Sequence, residues 1–222
     1  LLSLCVGAKG LLFNWFGKLE MVPPPPPPPP EVSRLEQRPP KVRNLLMRLE
    51  EAEKIRDVEM AITTIEALRT LPGSPAADLD DALARRLGVL NVRRLYTLKS
   101  AQWVDTVQVK RGDSASRIAS EHGSTLASLS KLNDGKIDRL RIGEKVYVLN
   151  HPRFNLVVRR RSKTADLQLN GKFFKRYDLL DDSGLKDGAF EWREISLKLK
   201  PADRSELDVL LPRSTSVLVS EL

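Results

Sequence analysis

Cysteine is almost missing from this chain. The single residue, Cys5, permits no internal disulfide and no thiolate metal cluster. Histidine is nearly as scarce: His122 and His151 have no cysteine nearby and no carboxylate at helical metal-ligand spacing, so both are expected to be loop residues and no metal or other cofactor is expected. Aromatic residues make up 5% of the chain, too few for a broad base-stacking platform, and no recognition helix is evident, so nucleic acid is not an expected partner. What is present fits a globular body: 41% hydrophobic and 30% charged residues in 222 positions, enough for two compact units and linkers. The net charge of +8 favours acidic partners, whether nucleic acid, anionic lipid or an acidic polymer, without choosing among them.

The opening segment "LLSLCVGAKGLLFNWFG" is apolar apart from Lys9 and Asn14. As a helix it rises about 25 Å, slightly short of a bilayer core. Residues 1–20 are therefore expected to form a membrane anchor or a signal remnant that places the rest outside the cytoplasm, with a buried N-terminal helix as the alternative. Residues 21–40 contain the run Pro23 to Pro30, whose missing amide donors and fixed φ predict a stiff polyproline II rod of about 25 Å. It reads as a spacer, or else as a docking site for a proline-binding domain.

Residues 41–100 carry helical periodicity. Val42, Leu45, Leu46 and Leu49 share one face, and Val58, Ala61, Ile62, Ile65 and Leu68 share another. Asp57 can cap the second run and "LPGSP" (71–75) stops it. Leu79, Ala82, Leu83, Leu87 and Leu90 mark a third run, with Asp78 and Asp80 near its positive end. Three such helices resemble a tetratricopeptide-type hairpin with a capping helix, although one unit is too short for a repeat array. Packing against a neighbouring element and peptide binding are both open to it.

Residues 105–150 read as strand, helix, helix, strand. Gly112 allows a sharp turn. Asp113 or Ser114 can cap a helix carrying Ile118 and Ala119. Thr125 or Ser124 can cap one carrying Leu126, Leu129 and Leu132, and Gly143 permits the turn into "KVYVL". The stretches "VQVKRGDSASRIA", "STLASLSKLN" and "LRIGEKVYVL" closely resemble the LysM family, a βααβ module that binds N-acetylglucosamine glycans such as peptidoglycan or chitin. The resemblance implies a shallow groove with Gly112, Asp113, Ser114 and Ala115 on one side and Asp134, Gly135, Lys136 and Ile137 on the other. Loop amides there would hydrogen-bond N-acetyl groups while sugar rings cover apolar residues. Ser114-Ala115 stands where the family usually has Thr-Leu, which removes apolar surface and is expected to weaken binding.

Residues 151–222 decide whether the module serves an enzyme. "FNLVVRRRSKTADLQLNGKFFKRYDLL" reads as two strands joined at Asn170-Gly171, with Val157, Leu167, Leu169, Phe173 and Tyr177 at alternating apolar positions. This stretch resembles the opening hairpin of the L,D-transpeptidase fold. "GLKDGAFEWREISLKLKP" is similar to that family's next segment, and "SELDVLLPRSTSVLVSEL" to its closing helix and strand. The family's chemistry needs a Cys nucleophile activated by His. Cysteine is absent after Cys5 and histidine after His151, and Pro201 to Asp208 leaves no room for the motif, so no enzyme is expected. Asp181, Asp182 and Asp187 read as ordinary turn acids. "RRRSK" (159–163) is either a solvated hairpin edge or a contact for stem-peptide carboxylates.

The fold class expected is thus a multi-domain α+β chain: N-terminal anchor helix, Pro-rich linker, tetratricopeptide-like helical segment, βααβ LysM module and a small, mostly antiparallel β domain (151–222). The function expected is non-catalytic binding or scaffolding of peptidoglycan on the periplasmic side of a bacterial inner membrane. The alternative is a structural subunit of an envelope protein complex, or a pseudoenzyme partner of a transpeptidase.

Overall fold

The computed structural model describes residues 38–72, 77–99 and 102–221. The expected anchor (1–20) and nearly all of the Pro-rich linker (21–40) lie outside the described residues, and among those described no helix is long and apolar enough to cross a membrane.

Helix α1 (Pro40–Lys54) begins on Pro40, whose fixed φ suits a first helical position. Helix α2 (Val58–Arg69) is capped by Asp57, whose carboxylate accepts from Met60 N–H at 2.9 Å. Helix α3 (Asp80–Tyr96) has Asp80 and Asp81 in its first turn and Arg93 and Arg94 in its last, matching the helix dipole at both ends. Val42, Leu49, Ile62, Ile65, Leu68, Leu83 and Leu87 form the core of this helical segment.

Strand β1 (Val104–Gln108), helices α4 (Ala115–Glu121) and α5 (Leu126–Leu132) and strand β2 (Lys145–Leu149) follow, with β1 and β2 antiparallel from Val104 opposite Leu149 to Gln108 opposite Lys145. Ile118, Ala119, Leu129, Val146 and Val148 close a small core between strands and helices.

The remaining elements are β3 (Phe154–Arg159), β4 (Thr164–Leu169), β5 (Lys172–Asp181), β6 (Gly188–Glu191), β7 (Lys198–Leu199), α6 (Pro201–Leu210) and β8 (Ser216–Ser220). They build a six-stranded sheet in the order β6-β8-β3-β4-β5-β7. Only the β3–β8 pairing is parallel.

This corrects the two-strand reading of residues 154–180. Arg160–Lys163 is itself a tight turn, with Lys163 at φ +51° and its N–H on the Arg160 carbonyl at 3.0 Å, so the segment forms three strands. The basic cluster therefore caps a turn between two interior strands and is not a sheet edge. Its charges are largely spent: Arg159 pairs with Asp166, Arg160 with Asp187 and Lys163 with Asp182. The face assigned to Val157 is also corrected. Phe154, Leu156 and Val158 are buried, while Val157 lies on the opposite, more open face. Phe154, Leu156 and Val158 form the apolar face, and Val157 shares the other with Asn155 and Arg159, so the alternation itself points to the observed parity.

Phe174 joins the three parts. The register of β4 on β5 slips between Leu167 and Gln168, a bulge that takes Phe174 out of the ladder. Its carbonyl then accepts from Asn91 Nδ2 of α3 at 2.8 Å, in a buried contact. Its ring meets Trp103, just before β1, edge-on at 5.6 Å between centroids. Phe173, expected with the sheet core, packs against the helical segment instead, under the Arg69 guanidinium at 4.1 Å. Leu95, Trp103, Leu132, Leu149 and the sheet residues share one hydrophobic core, so the βααβ module is built onto the sheet rather than strung beside it.

Candidate functional site

The groove predicted from the sequence starts at the turn after β1. Gly112 takes φ +88°, a conformation that disfavours any side chain, and the turn closes when Asp113 N–H donates to the Lys110 carbonyl at 3.1 Å. The Asp113 carboxylate accepts from Lys110 N–H at 2.7 Å, so it shapes the turn. Ser114 is the cap of α4, its Oγ accepting from Arg117 N–H at 3.2 Å. Thr125 caps α5 in the same way at 2.9 Å, and its hydroxyl also donates to the Val209 carbonyl of α6, tying the module to the sheet domain.

The opposite wall begins at Asn133. Its amide turns back to β2: Oδ1 accepts from Tyr147 N–H at 2.8 Å and Nδ2 donates to the Tyr147 carbonyl at 2.7 Å. Beyond it, Asp134 and Gly135 both take positive φ, +53° and +78°, and Lys136 and Ile137 wind through short backbone bonds to Asn133 and Gly135.

Between these walls lies an open cavity of about 460 Å³, lined by Asp113, Ser114, Ala115, Ser116, Leu126, Ile137, Asp138, Arg139 and Leu140. It brings together four of the eight predicted residues: Asp113, Ser114, Ala115 and Ile137. Gly135 and Lys136 instead line an adjoining concavity of about 680 Å³ with Asp138, Arg139, Arg141, Ile142 and Glu144. Gly112 and Asp134 line neither; they set the turns that place the walls.

Leu126 is the residue that sequence reasoning misplaced. Expected on the buried face with Leu129 and Leu132, it is 49% exposed, while those two are fully buried. It stands at the first position of α5, where the helix is just emerging from the cap, and there faces the cavity. The apolar surface missing at Ala115 is thus partly supplied by Leu126, with Ile137 and Leu140 beside it. Ser116, Asp138, Arg139 and Leu140 were also missed, for want of any local signal that the chain beyond Ile137 doubles back to the groove.

Several charged and polar groups elsewhere hold the fold. Asp181 accepts from Lys198 Nζ at 2.5 Å and from Ser183, and these bonds hold its carboxyl well below the usual carboxylate range. Tyr177 donates to Glu206 of α6 at 2.7 Å, and Lys175 donates to the same carboxylate at 2.8 Å. Burial, then the Glu206 charge, pushes the Tyr177 hydroxyl well above its ordinary range, so it stays a donor. His122, at the end of α4, stacks on His151 at 5.4 Å between centroids. Among the described residues no group of three or more His, Cys, Asp or Glu could hold a metal ion.

No curated protein matches the chain. No family match extends to residues 151–222, and nothing supports their resemblance to L,D-transpeptidases. The family model described as LysM domain matches residues 107–148, the span that contains both walls of the groove and both strands behind it, so a LysM domain is present in this chain, of a family whose members generally bind peptidoglycan and related N-acetylglucosamine glycans.

Proposed function

We propose that the chain is a non-catalytic binder of peptidoglycan, with Asp113, Ser114, Ala115, Leu126, Ile137 and Leu140 as the contact surface for an N-acetylglucosamine unit. The observation that carries this reading is the open cavity between the β1–α4 turn and the loop after α5, floored by an exposed leucine. An exposed apolar floor between polar turn residues suits a sugar, whose ring faces are apolar and whose rim is polar. The helical segment and the sheet domain serve in this reading as a rigid mount. The shared core around Phe174 supports that role, because a site held on packed elements loses less freedom on binding. In the same reading residues 1–20 anchor the chain, residues 21–40 space it from the membrane, and the module works on the periplasmic side of the bacterial envelope.

The test is co-sedimentation of the chain with insoluble, protein-free peptidoglycan at low and moderate salt, beside Leu126→Asp. Retention through moderate salt, lost in Leu126→Asp, is the expected result. Loss with salt in both proteins would reduce the interaction to charge attraction, and no sedimentation would end the glycan reading.

A protein-interaction role, as a structural subunit of an envelope complex or a pseudoenzyme partner of a transpeptidase, is favoured by one other feature. On the open face of the sheet Ala189, Leu218 and Val157 pair across β6, β8 and β3, with Leu218 46% exposed. That reading predicts that Leu218→Asp disrupts assembly while leaving glycan sedimentation intact.

A further inference from the structure

The groove does not end at Asp138 and Arg139. Both residues also line the adjoining concavity, so the two hollows meet at a shared wall. The second hollow differs in chemistry from the first. Lys136, Arg139 and Arg141 all project into it, all exposed, and among the described residues none of their side chains has a hydrogen-bond or ion-pair partner. Some exposed arginines elsewhere are engaged, Arg85 with Asp178 and Arg117 with Glu121, while others such as Arg48 and Arg161 stand alone among the described residues. What sets this hollow apart is that three unpaired cations share one concavity. Of the two carboxylates in the hollow, Glu144 accepts from Arg141 N–H at 3.0 Å and closes its own turn, and Asp138 is exposed, so three cations face two carboxylates. Backbone bonds between Val109 and residues 143–144 tie the end of this loop to the chain before Lys110 and Arg111, both exposed and neither lining the hollow. Ile142, 71% exposed, gives the hollow an apolar face among these cations.

We propose that this second hollow reads carboxylates carried by the sugars next to the one in the groove, so that the module selects carboxylate-bearing N-acetylglucosamine chains, such as peptidoglycan, over neutral ones such as chitin. The inference rests on the glycan reading above and adds its substrate class. Unpaired guanidinium groups match planar carboxylates in two-point hydrogen bonds, and Ile142 accommodates the methyl groups that lie beside such carboxylates on lactyl ethers and alanyl peptides.

The experiment uses the full chain and soluble probes at low salt: a neutral chitin pentamer, a peptidoglycan chain of similar length, the same chain with its carboxylates converted to neutral amides, and polyglutamate. The native peptidoglycan chain is expected to bind about three- to tenfold tighter than its amidated form, as exposed charge pairs allow. The variant Arg141→Gln, whose side chain lines the second hollow and not the sugar groove, is expected to bring that ratio towards one and to leave chitin binding unchanged. Equal binding of native and amidated chains by the unaltered protein would overturn the proposal. So would an equal loss of chitin binding in the variant, or competition by polyglutamate as strong as by the glycan. Failure of every glycan to bind would remove the underlying reading, an outcome distinct from equal binding of all.

Discussion

Asn133 and Tyr147 form a two-point amide pair: Tyr147 N–H donates to Asn133 Oδ1 at 2.8 Å and Asn133 Nδ2 donates to the Tyr147 carbonyl at 2.7 Å. In a two-stranded sheet β2 has one free edge, and here a side chain supplies the bonds that a third strand would make. The same Nδ2 also donates to the Leu129 carbonyl at 2.8 Å, so one residue ends α5, satisfies β2 and starts the loop that forms a wall of the groove.

Asn133→Ala is therefore expected to cost about 1–2 kcal/mol of stability, the net worth of bonds that water partly replaces. Glycan affinity should fall although Asn133 touches no ligand. Hydrogen exchange would show faster exchange at Tyr147 and along residues 134–140, with the β3–β4 amides unchanged. Unchanged exchange in the loop would mean that the wall stands without its clamp.

Ala115 leaves the groove wide. Restoring the family's pair with Ser114→Thr and Ala115→Leu keeps a hydroxyl cap for α4 and adds apolar contact on the wall facing Ile137. An affinity gain of about two- to fivefold for a chitin oligomer is expected from the extra area covered. A loss would show that the added leucine fills the cavity that the sugar needs.

Gly88 sets how closely α3 lies on the sheet. A Cβ there would fall 2.7 Å from Lys175 Cγ and 3.2 Å from its Cα, and Lys175 cannot swing aside freely because its ammonium is held by Glu206. Alanine would favour the helix by about 1 kcal/mol, yet the overlap with a pinned strand is expected to outweigh that gain, lowering stability by about 1 kcal/mol net. Thermal unfolding of Gly88→Ala checks the sign.

Asp166 contributes to the acid response. Burial pushes its carboxyl up, but hydrogen bonds from Arg176 at 2.7 Å and Arg159 at 2.5 Å outweigh burial and hold it below its ordinary value. Asp81 and Asp178, each bound by Arg85, are lowered too. A carboxyl lowered by folding contributes its stability above the unfolded value, near 4, and loses it as pH falls through the folded value. Stability should thus decline below about pH 4, and less steeply in Asp166→Asn. At pH 7 that variant should be weaker by about 3 kcal/mol, because Arg159 and Arg176 lose their shared partner. Equal acid slopes for both proteins would place the response in other groups.

What the sequence by itself determined is short in range. The cap at Asp57, the turns at Gly112 and Gly143, and the Asn170-Gly171 hairpin each depend on groups within about four residues, so the residue types announce them. The residue types narrow the other two caps to Asp113 or Ser114 and to Thr125 or Ser124, and the structure uses Ser114 and Thr125. The βααβ module and one wall of its groove were legible for that reason. The tertiary structure decided the rest. Leu126 looks identical in pattern to Leu129, yet at the first position of α5 it stands 49% exposed. Val157 is an exception, since Asn155 and Arg159 on its face already mark the more polar side, and the pairing of Leu156 with Leu167 and Val217 agrees with that alternation. The bulge that frees the Phe174 carbonyl has its acceptor on β5 and its donor, Asn91, far away on α3. Bonds of that length in the chain leave no local imprint on the sequence, because their worth exists only once both elements have packed.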